Sequence, residues 1–123
     1  MQNLIDQNRA LHGHLPNTRF SCGDVTELEL DPAATDLLFS NWLMMYLSDA
    51  EVARLAANSL RWVAEGGCVF FRESCFRQSG DKQRKNNPTH YRNPREYFKI
   101  YDEAQVIEVS GAVAEGGWAG GWA

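Results

Sequence analysis

Hydrophobic positions along this chain alternate between helical spacing and short continuous runs, and each change marks an element boundary. Leu4, Ile5 and Leu11, with Asn8 between them, fall at helical intervals, so residues 2–12 are predicted to form a helix that Gly13 can end. Thr18–Cys22 reads as a short strand closed by Gly23-Asp24, and Asp31-Pro32 marks a turn. Residues 36–40, DLLFS, form an apolar run too short for a helix and are expected to be a buried strand. Residues 41–47 then suggest a loop and a short helical turn. Ser48 and Glu51 have the S-x-x-E spacing of a capping box, which satisfies free backbone N–H groups at a helix start. Behind it, Val52, Leu55, Ala56, Ser59, Leu60 and Val63 make one face of an amphipathic helix, with Gly66-Gly67 as its expected stop. A strand over Cys68–Arg72 follows. Asn93 and Pro94 look like the N-cap and first residue of another helix, over 94–104, and Gln105–Ser110 reads as a final strand.

Strands alternating with helices predict an α/β fold: a parallel sheet with helices on both faces. The expected organisation is one domain over residues 1–110, followed by a Gly/Ala/Trp-rich unpacked tail over 111–123, which alternatively offers two tryptophans to a partner. No repeat or interdomain linker is visible.

Charge changes this picture in one place. Between Arg72 and Arg95 stand seven Lys or Arg against two acids, a local +5 in a chain whose net charge is −4. The acidic total argues against a general nucleic-acid binder, and the concentrated positive charge points to a small anion. No apolar run approaches the roughly 20 residues needed to span a bilayer. The N-terminus lacks a signal peptide's charged start and apolar core. Cys22, Cys68 and Cys75 are odd in number and lack metal-ligand spacing. They are expected to be reduced thiols in a cytoplasmic protein, two of them buried in strands, with no metal bound; a nucleophilic Cys75 is the functional alternative.

In an open parallel sheet, ligands bind beyond the carboxyl ends of the strands. Three polar ends qualify here: Asp24, Ser40-Asn41 and Arg72-Glu73-Ser74. Asp24 can accept a hydrogen bond from an exocyclic amine such as that of adenine, while the N–H of Val25 meets a ring nitrogen; the plainer reading is an Asx turn. Asn41, donor and acceptor at once, can hold a ligand's ammonium or carboxylate, or simply shape a turn. Trp42, Met44, Met45 and Tyr46 surround the second strand end. Met44 and Met45 are read as core, whereas Trp42 and Tyr46 carry polar handles and aromatic faces that suit a cationic group. From Ser79 to Tyr91 the loop offers a hydroxyl, the backbone of Gly80, Arg84, Lys85, His90 and Tyr91, a full set of phosphate donors. An ordinary solvated loop is the alternative.

The motifs FSNW, YLSD, FFRESCF, QSGD, RK and NPTHYR, spread over Phe39–Tyr97, are long and specific. In them the chain resembles the first methyltransferase domain of the plant and algal phosphoethanolamine N-methyltransferases, from about Asn3 to Tyr101. The resemblance implies a class I, Rossmann-like fold, S-adenosylmethionine as cofactor, and methyl transfer to the amine of phosphoethanolamine, a small-molecule substrate, toward phosphocholine. It implies cofactor contacts at Asp24, Val25 and Asn41, and phosphobase contacts at Ser74, Ser79, Gly80, Arg84 and Tyr91. Tyr46 is the candidate acceptor of the amine's proton, with an aromatic packing role as its alternative. The chain departs from the family in having no G-x-G-x-G loop, no first strand to carry it and no acidic residue after a second strand. The expectation is therefore a partial domain that keeps the acceptor half of an active site and, alone, binds S-adenosylmethionine weakly or not at all. Its rivals are a methyltransferase for another small amine, and a non-catalytic remnant that binds a phosphorylated ligand or a partner protein.

Overall fold

Helix and strand alternate as the hydrophobic spacing requires. The computed structural model describes residues 1–76 and 88–109, with side chains through residue 104. Its elements are α1 (Gln2–His12), β1 (Thr35–Asn41), α2 (Asp49–Trp62), β2 (Val63–Arg72) and α3 (Pro94–Val109), with single 3-10 turns at Val25–Glu27 and Met44–Tyr46. Of the predicted loop over 79–91, residues 79–87 lie outside the described residues, as does the whole predicted tail over 111–123.

The capping box forms as the spacing predicts. Ser48 Oγ accepts from the N–H of Glu51, and the Glu51 carboxylate accepts from the N–H of Ser48 at 2.8 Å. The buried face of α2 is Val52, Leu55, Ala56, Ser59 and Trp62. The apolar stripe thus runs on to Trp62, seven residues after Leu55 and two helical turns on. Val63, expected on that face, instead opens β2. The helix ends without a glycine because its last carbonyls find other donors. Ala33 N–H donates to Arg61 O at 2.9 Å, and Thr35 Oγ1 to Trp62 O at 2.8 Å.

Gly66 and Gly67 therefore do a different job from the expected helix stop. β1 and β2 pair in parallel, but the register slips from Thr35↔Val63 to Leu37↔Cys68. Gly66 takes φ +79°, and a Cβ on Gly67 would sit 2.7 Å from Asp36 O. The glycines absorb surplus chain at an irregularity in the strand.

Side chains alternate across the two strands. Leu38 and Phe71 pack against the core formed by Met44, Leu47, Val52, Leu55, Trp62 and Tyr97. Phe71 stacks on Tyr101 with centroids 5.5 Å apart and meets Tyr97 at 5.3 Å. On the opposite face Leu37, Phe39, Cys68 and Phe70 are exposed, and Phe39 stacks on Phe70 at 5.6 Å. Among the described residues, then, α2 and α3 form the core beneath one face of the sheet, whereas helices were expected on both. α1 has no buried residue and is tied down by Arg9, which donates to Phe20 O at 3.1 Å.

Three sequence expectations are corrected. Residues 18–22 are not a strand: among the described residues the sheet consists of β1 and β2, and this segment pairs with neither, so Asp24 does not stand at a strand's carboxyl end. Residues 105–109 continue α3 rather than starting a strand. Cys22 and Cys68 are exposed rather than buried, Cys22 because its strand does not form and Cys68 because it lies on the bare face; all three cysteines are free thiols. No helix among the described residues is long and apolar enough to cross a membrane, and those residues hold no cluster of potential metal ligands.

Candidate active site

The two strands end side by side: Asn41, the last residue of β1, pairs in register with Arg72, the last of β2. Beyond that point the chain turns sharply. Trp42 adopts φ +50°, a left-handed conformation that costs a non-glycine residue about 1 kcal/mol or more. Its N–H donates to Arg72 O at 2.8 Å, and the Arg72 guanidinium lies 4.9 Å from the centre of its indole ring.

The Met44–Tyr46 turn comes next, and a side chain from the other strand fastens it. Glu73 accepts from three consecutive backbone N–H groups. Oε1 takes those of Leu43 (3.0 Å) and Met44 (2.9 Å), and Oε2 takes that of Met45 (3.2 Å). These are donors that a helical turn leaves unsatisfied at its start, and a carboxylate suits them in both geometry and charge. The turn's other end is held from residues 88–92. His90 N–H donates to Met45 O at 2.7 Å. Arg92, 5% exposed, donates to Met44 O at 3.0 Å and to Leu47 O at 2.7 Å, and it pairs with the exposed Asp49 at 2.7 Å. Three stretches of chain thereby meet at one turn: the end of β1, the end of β2 with Ser74, and the segment with Tyr91.

The predicted site residues fall into three groups. Asn41 and Tyr46 are exposed at the strand end and the turn, while Ser74 and Tyr91 are half-buried, each next in sequence to a residue bonded to that turn. Asp24 and Val25 sit apart, at the 3-10 turn that packs on α2. Asp24 Oδ1 accepts from Thr26 Oγ1 (2.7 Å) and from Thr26 N–H (2.8 Å), so the Asx-type turn is present. Those two bonds hold its carboxyl below the usual carboxylate range. Val25 packs against the core. Ser79, Gly80 and Arg84 lie outside the described residues.

Two residues with structural command of the site went unrecognised in the sequence. Glu73 was visible only as one of three polar residues after an apolar strand. Arg92 was counted with the cationic cluster, yet it is buried and committed to backbone carbonyls. Burial, then the Glu73 charge, pushes the Cys75 thiol up, and its Sγ faces Glu73 O at 3.7 Å; both disfavour a thiolate nucleophile there.

Known proteins match this chain closely in sequence. It is 50% identical over 113 residues to phosphoethanolamine N-methyltransferase 1 of Arabidopsis thaliana, covering 90% of the chain. It is 50% identical over 117 residues to the Triticum aestivum enzyme, covering 94%. The chain is homologous to the phosphoethanolamine N-methyltransferases. It spans 23% of the length of each of those two relatives. Among solved structures, phosphoethanolamine N-methyltransferase 1 of Haemonchus contortus, in complex with phosphoethanolamine and S-adenosylhomocysteine, superposes with a TM-score of 0.71 at 38% identity, over 77% of this chain and 22% of that one. A Leishmania major S-adenosylmethionine-dependent methyltransferase superposes at 0.69 with 20% identity, over 84% of this chain and 41% of that one, which speaks to fold alone. The fold is thus part of the S-adenosylmethionine-dependent methyltransferase fold, as the motifs implied. No protein-family model matches the chain.

Proposed function

We propose that this chain supplies the acceptor side of a phosphoethanolamine N-methyltransferase site, which uses S-adenosylmethionine to methylate the amine of phosphoethanolamine on the way to phosphocholine. The observation that carries this reading is the convergence of the segments bearing Asn41, Tyr46, Ser74 and Tyr91 on the single Met44–Tyr46 turn. The similar H. contortus enzyme, whose structure is in complex with phosphoethanolamine and S-adenosylhomocysteine, supports it.

In this reading Ser74, Ser79, Gly80, Arg84 and Tyr91 hold the phosphate and set the direction of the amine. The cofactor supplies an electrophilic sulfonium methyl group. An ionised Asp24 and the exposed amide of Asn41 fit an adenosyl ligand: the second Asp24 oxygen accepts from an amine, and Val25 N–H meets a ring nitrogen. The protein's task is alignment for in-line displacement. The acceptor amine must first lose a proton, since a free primary ammonium titrates near the Lys value of about 10. Desolvation lowers that value, and the Tyr46 oxygen at the turn is the candidate acceptor for the proton. Arg84 contributes a charge-assisted bond to phosphate.

Titration calorimetry with phosphoethanolamine tests this. Arg84→Ala is expected to weaken binding by about 1.5–3 kcal/mol, roughly ten- to a hundredfold; an unchanged affinity refutes the assignment. Because the sequence has no G-x-G-x-G loop, the isolated chain is expected to take up S-adenosylmethionine weakly, and a micromolar dissociation constant contradicts that. The bare apolar face of the sheet favours one second reading, a non-catalytic chain that keeps ligand or partner binding. A methyl-transfer assay with labelled S-adenosylmethionine separates the two. Three free thiols suit a reducing, cytoplasmic setting.

A further inference from the structure

We propose that Glu73 is a positioning residue for the acceptor site: its carboxylate clamps the Met44–Tyr46 turn to the end of β2, so that Tyr46 and Ser74 keep a fixed relation. This rests on the function proposed above. The resemblance implies phosphobase contacts at Ser74, Ser79, Gly80, Arg84 and Tyr91, whereas Glu73 points its carboxylate at backbone.

The turn cannot hold itself. It is one 3-10 turn, closed by Tyr46 N–H to Leu43 O and Leu47 N–H to Met44 O, both 3.1 Å. Short turns of this kind have poor hydrogen-bond geometry. Its leading N–H groups all converge on Glu73, and both carboxylate oxygens are used. The clamp joins two site residues by very short links. Ser74 follows Glu73 directly, and Tyr46 follows Met45, the last residue whose N–H Glu73 accepts. Any slack in the clamp therefore shifts Tyr46 relative to Ser74.

The chemistry demands a carboxylate. An amide of the same shape has one acceptor oxygen, and its NH2 would oppose one of the turn's N–H donors. Glu73→Gln therefore preserves volume and loosens the clamp: an amide oxygen can keep the Leu43 and Met44 N–H groups, while the NH2 opposes that of Met45, the link next to Tyr46. The strained Trp42 beside the turn is consistent with a segment held in place by its surroundings rather than by local preference.

The test labels the chain with 3-fluorotyrosine. The sequence has four tyrosines, and Tyr46→Phe identifies the Tyr46 signal. With circular dichroism unchanged, Glu73→Gln is expected to shift and broaden the Tyr46 resonance and to raise the phosphoethanolamine dissociation constant roughly tenfold. Should Glu73→Gln lose its circular-dichroism signal, Glu73→Asp replaces it; the shortened side chain is expected to move the Tyr46 signal in the same direction by less. A lowered melting temperature with unchanged Tyr46 signal and unchanged affinity overturns the proposal, since that is what a purely structural bond gives. If the unsubstituted chain binds no phosphoethanolamine, the functional reading falls, while a Tyr46 signal moved by Glu73→Gln still supports the clamp. No binding together with an unmoved signal overturns both.

Discussion

Arg92→Met is the substitution whose cost the structure fixes most sharply. Met keeps the apolar stem and much of the volume but removes the guanidinium. That group donates to two main-chain carbonyls, Met44 O and Leu47 O, and its side chain is 6% exposed. Hydrogen bonds from a charged donor contribute about 1.5–3 kcal/mol each. Met44 O keeps the N–H of Leu47 at 3.1 Å, so the cost of a buried acceptor that loses its donor, about 1–3 kcal/mol, falls on Leu47 O. Removing the buried charge itself gives some of this back, since its desolvation no longer opposes folding. The net expectation is about 2–4 kcal/mol of lost stability. The ion pair with Asp49 adds little, because Asp49 is 89% exposed and such pairs contribute about 0–1 kcal/mol. Asp49→Asn is therefore expected to cost less than about 1 kcal/mol. Urea unfolding followed by tryptophan fluorescence, with Trp62 fully buried in the core, gives both values under one set of conditions. Equal costs for the two substitutions would refute the reasoning, because they would mean that the exposed ion pair, and not the carbonyl contacts, carries the energy.

Other outcomes follow from the same contacts. Met44 is completely buried, so Met44→Ala is expected to cost about 2–5 kcal/mol in the same assay, and a smaller loss means the core around it can collapse. Gly67→Ala must displace backbone, since its Cβ would meet Asp36 O at 2.7 Å and Ala64 O at 2.9 Å; a loss of about 1–3 kcal/mol is expected, and unchanged stability argues against the register slip at this point. Asp24 and Glu51 are held below their ordinary values of 3.8 and 4.5, chiefly by side-chain hydrogen bonds from Thr26 and Ser48. A depressed folded-state value gives stability that is full above the ordinary value and is lost as pH falls through the folded one. The melting temperature should therefore drop as pH is lowered below about 4.5, less steeply in Glu51→Gln; identical slopes contradict the capping-box assignment.

Local signals carried much of the fold into the sequence. The capping box, the helical spacing from Val52 to Ser59 and the Asn93-Pro94 start each depend on residues within a turn or two, and each forms as read; Asn93 Oδ1 accepts from Glu96 N–H at 3.1 Å. What was illegible depends on distant partners. Residues 18–22 have strand composition but no neighbouring strand among the described residues. The glycines at 66 and 67 read as a helix stop because a register slip against β1 leaves no local trace. Glu73 reads as a polar strand end and Arg92 as part of a cationic cluster because the groups they bind are backbone atoms 28–48 residues away. For the site, two of the three expected strand ends, Asn41 and Arg72, were legible from the apolar runs before them, whereas Asp24 caps a 3-10 turn instead because residues 18–22 form no strand.

Nuclear magnetic resonance of the isotopically labelled chain, titrated with phosphoethanolamine, reaches the central claim most directly. Saturable shifts are expected at Asn41–Tyr46, Ser74 and Tyr91, together with Ser79, Gly80 and Arg84, while α1 stays unmoved. Shifts confined to α1 and the bare sheet face, or no shift at millimolar ligand, would contradict an acceptor site built around the Met44–Tyr46 turn.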